Sequence, residues 1–172
     1  MIQLNANQAL KEKSNNRQVY MVTLGGFDTH ADQNTRHPVL LRELSLAIES
    51  FQLALNEVGL GKQVRTFTSS EFNRTLSING DGTDHAWGGH QWVFGEGLSE
   101  SSIGELPSYE LGAEDDFGNK GRFIPSLSQD QTHASLCKWF GAETHQLNGL
   151  FPHLHNFAQK SDIEQSLFKS LT

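Results

Sequence analysis

The sequence predicts an α/β fold with a mainly parallel sheet, and three observations point there. Val19–Leu24 (VYMVTL) is a β-rich run stopped by Gly25-Gly26. Leu40, Leu44, Ile48, Phe51, Leu55 and Val58 recur at helical spacing. Val64–Ser69 is a second β-rich run. Strand, helix, strand is a βαβ unit, whose crossover favours parallel strands. The organising stretch is Val19–His30. It reads as a buried strand that ends in a sharp turn and presents Asp28 and His30, where open α/β sheets collect their chemistry.

Residues 1–17 read as a polar leader, able to form a short helix with a weak apolar face of Ile2, Leu4, Ala6 and Leu10. After the first strand, Ala31–Arg36 is expected to be loop. Pro38 suits a first helical turn, and the helix closes near Gly59 or Gly61. Glu71–Gly89 is rich in Gly, Asn, Asp and Thr, too polar for core, and is expected as one long loop. Gln91–Phe94 is a third strand, stopped by Gly95 and Gly97. Residues 98–121 form a surface excursion of low regular content. Ser128 with Gln131 makes a capping box that opens a helix through Trp139 and Phe140, stopped at Gly141. The tail carries Leu150, Phe151, Leu154 and Phe157 as anchors without a clear period. Neither a repeat nor a linker divides the chain, so residues 1–172 are expected as a single domain.

A chain of 172 residues can bury a real core. Its net charge of −7 argues against nucleic acid, whose phosphates call for a basic face. A single cysteine, Cys137, rules out an internal disulfide and reads as a core residue of the helix around it. The sequence lacks an apolar run long enough for a membrane span, and its first residues lack the apolar stretch of a secretory signal.

Three polar clusters carry the candidate chemistry. Asp28 and His30 are either metal ligands or a turn pair, and Gly25-Gly26 would let the backbone expose them. Thr83-Asp84-His85 with His90 can serve a metal, or form a flexible loop with an Asx turn. In Ser70–Thr75, Glu71 is placed as a ligand or general base. Arg74 there could hold an anion by paired hydrogen bonds or make a surface salt bridge. His37, His133, His145, His153 and His155 lack a carboxylate at ligand spacing and read as surface or packing residues. The sequence contains no G-x-S-x-G elbow, P-loop or dinucleotide fingerprint.

Five motifs in fixed order, GGFDTH, SEFNRT, GTDHAWGGHQWVFG, RFIPSLSQDQTHASLCKWFGA and LFPHLHNF, resemble the C-terminal half of the DUF1501 family. That family is similar to the alkaline phosphatase/sulfatase superfamily. The resemblance implies a three-layer α/β/α sandwich, a partial alkaline phosphatase-like fold with metal at the strand ends. It implies a divalent ion, zinc first, with manganese or calcium as alternatives, and hydrolysis of phosphate or sulfate esters. By motif, Asp28, His30 and His85 would ligate one metal, Asp84 or His90 would complete the set, and Glu71 and Arg74 would serve catalysis. Complete relatives carry an N-terminal half with a Gly-Gly-x-Ser-x-x-Asp motif, and many an export signal. The chain is accordingly expected to be the C-terminal part of a hydrolase-like protein, incomplete alone, its relatives pointing to export. Its partners would be a small anionic ester or metal ion, and a missing N-terminal half or a second copy. The alternatives are a non-catalytic metal- or ligand-binding remnant, and a structural module that needs a partner to cover its sheet edge.

Overall fold

The computed structural model describes residues 17–98 and 102–156. In chain order the elements are α1 (Gln33–Glu57), β1 (Thr66–Phe67), β2 (Asn73–Asn79), β3 (Gly82–Ala86), β4 (Val93–Phe94), α2 (Gln129–Trp139) and α3 (Thr144–Leu150). The polar leader up to residue 16 and Phe157 of the tail lie outside the described residues.

The expected sheet is overturned. The strands make two antiparallel pairs, β1 with β4 and β2 with β3, and among the described residues neither a mainly parallel sheet nor an α/β/α sandwich forms. The reason lies in the first β-rich run. Val19–Leu24 forms no strand and pairs with nothing among the described residues, and Val19, Tyr20, Met21 and Val22 are 68–91% exposed. Composition gave these residues the character of a strand. Strand identity also needs a neighbour to take its backbone donors and acceptors, and without one the βαβ unit has no first strand.

The second correction is Glu71–Gly89. Its centre is not a loop but the longest strand pair of the chain, turned by Gly80-Asp81 with Gly80 at φ +67°. Gly-Asp at residues 80–81 is a two-residue hairpin signal, which the polar composition of the flanks obscured. The ladder carries a bulge. Between the pairs Arg74↔His85 and Ile78↔Thr83, β2 has Thr75, Leu76 and Ser77 where β3 has Asp84 alone. The backbone N–H groups of Leu76 and Ser77 donate instead to the carbonyls of Gly121 and Lys120, at 3.2 and 3.1 Å. Thus the end of the 98–121 segment is fastened to the hairpin where the ladder opens.

α1 begins at Gln33, so the expected loop at 31–36 is mostly helix and Pro38 falls beyond the first turn. Its N-cap, Asp32, supplies no side-chain bond; the Gln33 N–H donates to the Asp81 carbonyl of the hairpin turn at 3.1 Å. The helix closes as expected, with Val58 as C-cap and Gly59 at φ +73°. α2 has the expected capping box: Ser128 Oγ accepts from the Gln131 N–H at 3.1 Å, and Gln131 Oε1 from the Ser128 N–H at 3.0 Å. Gly141 follows at φ +100°. Cys137 is a free, half-buried thiol. The buried apolar residues are few: Leu55, Ala86, Phe123, Ala134, Leu136 and Leu147.

Candidate functional site

One face of the hairpin and the 28–33 segment build the site together. Alternation along an antiparallel pair puts Arg74, Thr83 and His85 on a common side. The facing chain comes very close to Gly82, and the Thr83 N–H donates to the Thr29 carbonyl at 3.3 Å. A side chain on Gly82 would collide with that backbone, since a Cβ there would lie 2.3–2.5 Å from the Thr29 and His30 main chain. Hence this glycine admits the segment that carries Asp28 and His30.

Asp28, His30 and His85 meet as a result. Asp28 Oδ1 lies 3.0 Å from His30 Nε2 and 3.1 Å from His85 Nε2, and the two Nε2 atoms are 3.0 Å apart. All three residues are about half exposed. His85 is fixed from the other side by Phe72, whose ring stacks on the imidazole at 3.7 Å with 12° between planes. The hydrogen bond from His85 is the leading cause that holds the Asp28 carboxyl below its ordinary value. Arg74 and the charge of His30 add to it, against the opposing effect of burial.

Arg74 is spent inside the protein. Its Nη1 donates to Asp28 Oδ1 at 2.6 Å, its Nε to Thr83 Oγ1 at 2.9 Å and its Nη2 to the Thr83 carbonyl. Behind it, Thr83 Oγ1 donates to Gln33 Oε1 at 2.7 Å, and Thr29 Oγ1 donates to the same oxygen at 3.1 Å. Thr29 and Thr83 are both buried. This fully paired network anchors the carboxylate to the first turn of α1. The geometry thus gives Arg74 the work of orienting Asp28, with three nitrogens already engaged.

The remaining sequence candidates are dispersed. Asp84 flanks the cluster, with Oδ1 at 3.8 Å from His30 Nδ1. Its carboxyl is held below its ordinary value first by the 2.8 Å bond from Asn79, then by the positive charges of His30, Lys120 and Arg122, with burial opposing. His90 stands apart and contacts the Tyr109 hydroxyl at 3.2 Å. Glu71 lines an open cleft of about 520 Å³ that runs from the cluster over Phe72, His85, Ala86, Trp87 and Arg122. Sequence reading missed Gln33 as part of the site, and it named Thr83 without its bonds to Arg74 and Gln33. The pairing of Arg74 with His85 depends on the bulge at residues 75–77 as well as on the turn, so the turn signal alone does not give it.

Fold and site together define a chain of helices and two antiparallel strand pairs in which two imidazoles and a carboxylate meet beside one hairpin. A family model described as a protein of unknown function, DUF1501, matches residues 6–147. The chain belongs to the DUF1501 family. No curated protein and no solved structure matches it.

Proposed function

We propose that Asp28, His30 and His85 hold a divalent metal ion and that the site serves hydrolysis of an anionic phosphate or sulfate ester. The observation that carries the reading is the convergence of three ligand-type atoms within 4.8 Å, from segments more than fifty residues apart in sequence. The donor set fits such an ion. Two imidazoles and a carboxylate suit first-row divalent metals, and Asp28 is anchored by Arg74 as outer-shell partners anchor metal ligands. Zinc and manganese both suit that donor set, and calcium, which takes oxygen donors, fits least. The ester substrate is supported by the motif resemblance to the alkaline phosphatase/sulfatase superfamily.

When bound, such an ion supplies Lewis-acid polarisation and acidifies a coordinated water. The chain's own residues do the rest. Arg74 keeps Asp28 oriented and ionised. Phe72 fixes the plane of His85. Glu71, in the adjoining cleft, is placed to exchange a proton with a ligand there. The test is metal content by elemental analysis for manganese, iron and zinc, on dialysed protein and on an Asp28→Ala/His85→Ala double variant. Near-stoichiometric metal in the first and none in the second supports the reading; a metal-free wild type reloaded with each ion and still empty overturns it.

A second reading is favoured by one observation, the exposure of Val19, Tyr20, Met21 and Val22 along a β-rich run that is unpaired among the described residues. Such a run is a ready template for strand addition. On this reading the chain is a module completed by a partner strand, and sedimentation of the purified chain tests whether that partner is a second copy.

A further inference from the structure

The cleft beside His85 is more specific than an anion site alone requires. Its walls are Phe72, Ala86 and Trp87, and its charged groups are Glu71 and Arg122. Phe72 is already engaged, stacked on His85. Trp87 is not covered: it leans on Phe117 with ring centroids 5.0 Å apart, yet is 63% exposed. A large aromatic ring left in solvent inside a cleft, next to a polar centre, is the common composition of a ligand wall. Arg122 lies in the same cleft and makes no ion pair among the described residues; its positive charge reaches Asp84 at the edge of the cluster.

We propose that this cleft binds a planar aromatic group carrying an anion, with the ring against Trp87 and the anion between Arg122 and the Asp28–His30–His85 centre. The proposal rests on the preceding reading only for the metal's share in holding the anion. Ring and charge have separate partners. Trp87 offers an indole face for offset stacking, worth a severalfold gain in affinity by itself. Arg122 offers a delocalised cation that pairs with a carboxylate, sulfonate or phosphonate. Glu71 brings one negative charge to the same cleft, so it limits how much negative charge a ligand carries there.

Calorimetric titration of the full chain with phenylphosphonate and with methylphosphonate, each with manganese and after chelation, separates these contributions. The two probes share an anion and differ in the ring. Phenylphosphonate is expected to bind about fivefold or more tightly than methylphosphonate in both conditions. Trp87→Leu is expected to bring the two within twofold, a change that an exposed side chain tolerates, checked by circular dichroism. Arg122→Gln is expected to weaken both probes, and Glu71→Gln to tighten both. Equal affinity for the two probes, a ring preference that survives Trp87→Leu, or no binding of either overturns the proposal. Metal content decides the metal reading separately: a chain that binds phenylphosphonate preferentially but holds no manganese keeps the cleft and loses the centre.

Discussion

Gly82 and His30 approach so closely that a Cβ on Gly82 would lie 2.3 Å from the His30 carbonyl carbon. The obstacle is main chain on both sides, so no side-chain rotation relieves it. Gly82→Ala must push the 28–30 segment off the hairpin and with it two of the three clustered donors. The expected outcome is a chain destabilised by about 1–3 kcal/mol, as overpacking typically costs, with metal retention lost. Urea unfolding and elemental analysis check both. The control is Gly80→Ala. Nothing lies within 4 Å of a Cβ there, although φ is +67°, so that variant strains the turn without filling the contact.

Arg74 tests whether the network behind Asp28 matters to the metal. Arg74→Gln removes the 2.6 Å bond to Asp28 and leaves the donors themselves in place. Loss of an outer-shell partner typically weakens metal affinity about 10–100-fold. That loss is expected in a competition titration with a chelating dye. Unchanged affinity would reduce the Arg74–Thr83–Gln33 chain to a structural role.

How much of this was legible in the sequence differs by element. α2 was legible to its ends, because Ser128, Gln131 and Gly141 specify caps by local chemistry alone. The length of α1 was legible from its apolar period. Its start was not, because the first N–H is taken by the Asp81 carbonyl, a contact from nearly fifty residues away. The parallel sheet was misread for the same kind of reason: Val19–Leu24 has strand composition, and pairing is a property of two segments. Asp28, His30 and His85 were each visible as candidates. Their meeting depends on the hairpin register and on the space at Gly82, and neither is written in residue type. The Arg74 bonds to Thr83 and Asp28 followed from the same register and were equally hidden.

Asp116 holds residues 112–122 together through its carboxylate. It is buried, and its carboxylate accepts from the N–H groups of Gly112, Lys120, Gly121 and Arg122 at 2.7–3.2 Å. Burial is the largest single influence and pushes its pKa up; the four backbone donors together outweigh it and hold the group below its ordinary value of 3.8. A carboxyl lowered in the folded state contributes stability at pH above 3.8, and the contribution is lost as pH falls through the lowered value. Asp116→Asn is therefore expected to lower the melting temperature at pH 7 and to flatten its decline on acidification. Thermal unfolding followed between pH 7 and pH 2 checks this, and parallel curves for the two proteins would remove Asp116 from the account.

His90 separates the cluster from its sequence neighbourhood. By motif, His85 would join Asp28 and His30, and His90 is an alternative to Asp84 for completing the set, the two histidines five residues apart in one Gly-rich stretch. By geometry they differ completely. His85 puts Nε2 3.1 Å from Asp28 Oδ1, whereas His90 Nε2 contacts the Tyr109 hydroxyl. His85→Ala removes one of three donors and is expected to lower metal affinity at least tenfold. His90→Ala leaves all three in place and is expected to bind metal as the wild type does. Equal losses in the two variants would mean that the metal is held by the Thr83–His90 stretch as a flexible chelator, and the convergence of Asp28, His30 and His85 would then owe its short distances to hydrogen bonding alone. An unequal loss assigns the ligand set to the hairpin face, where Gly82 and Arg74 place it.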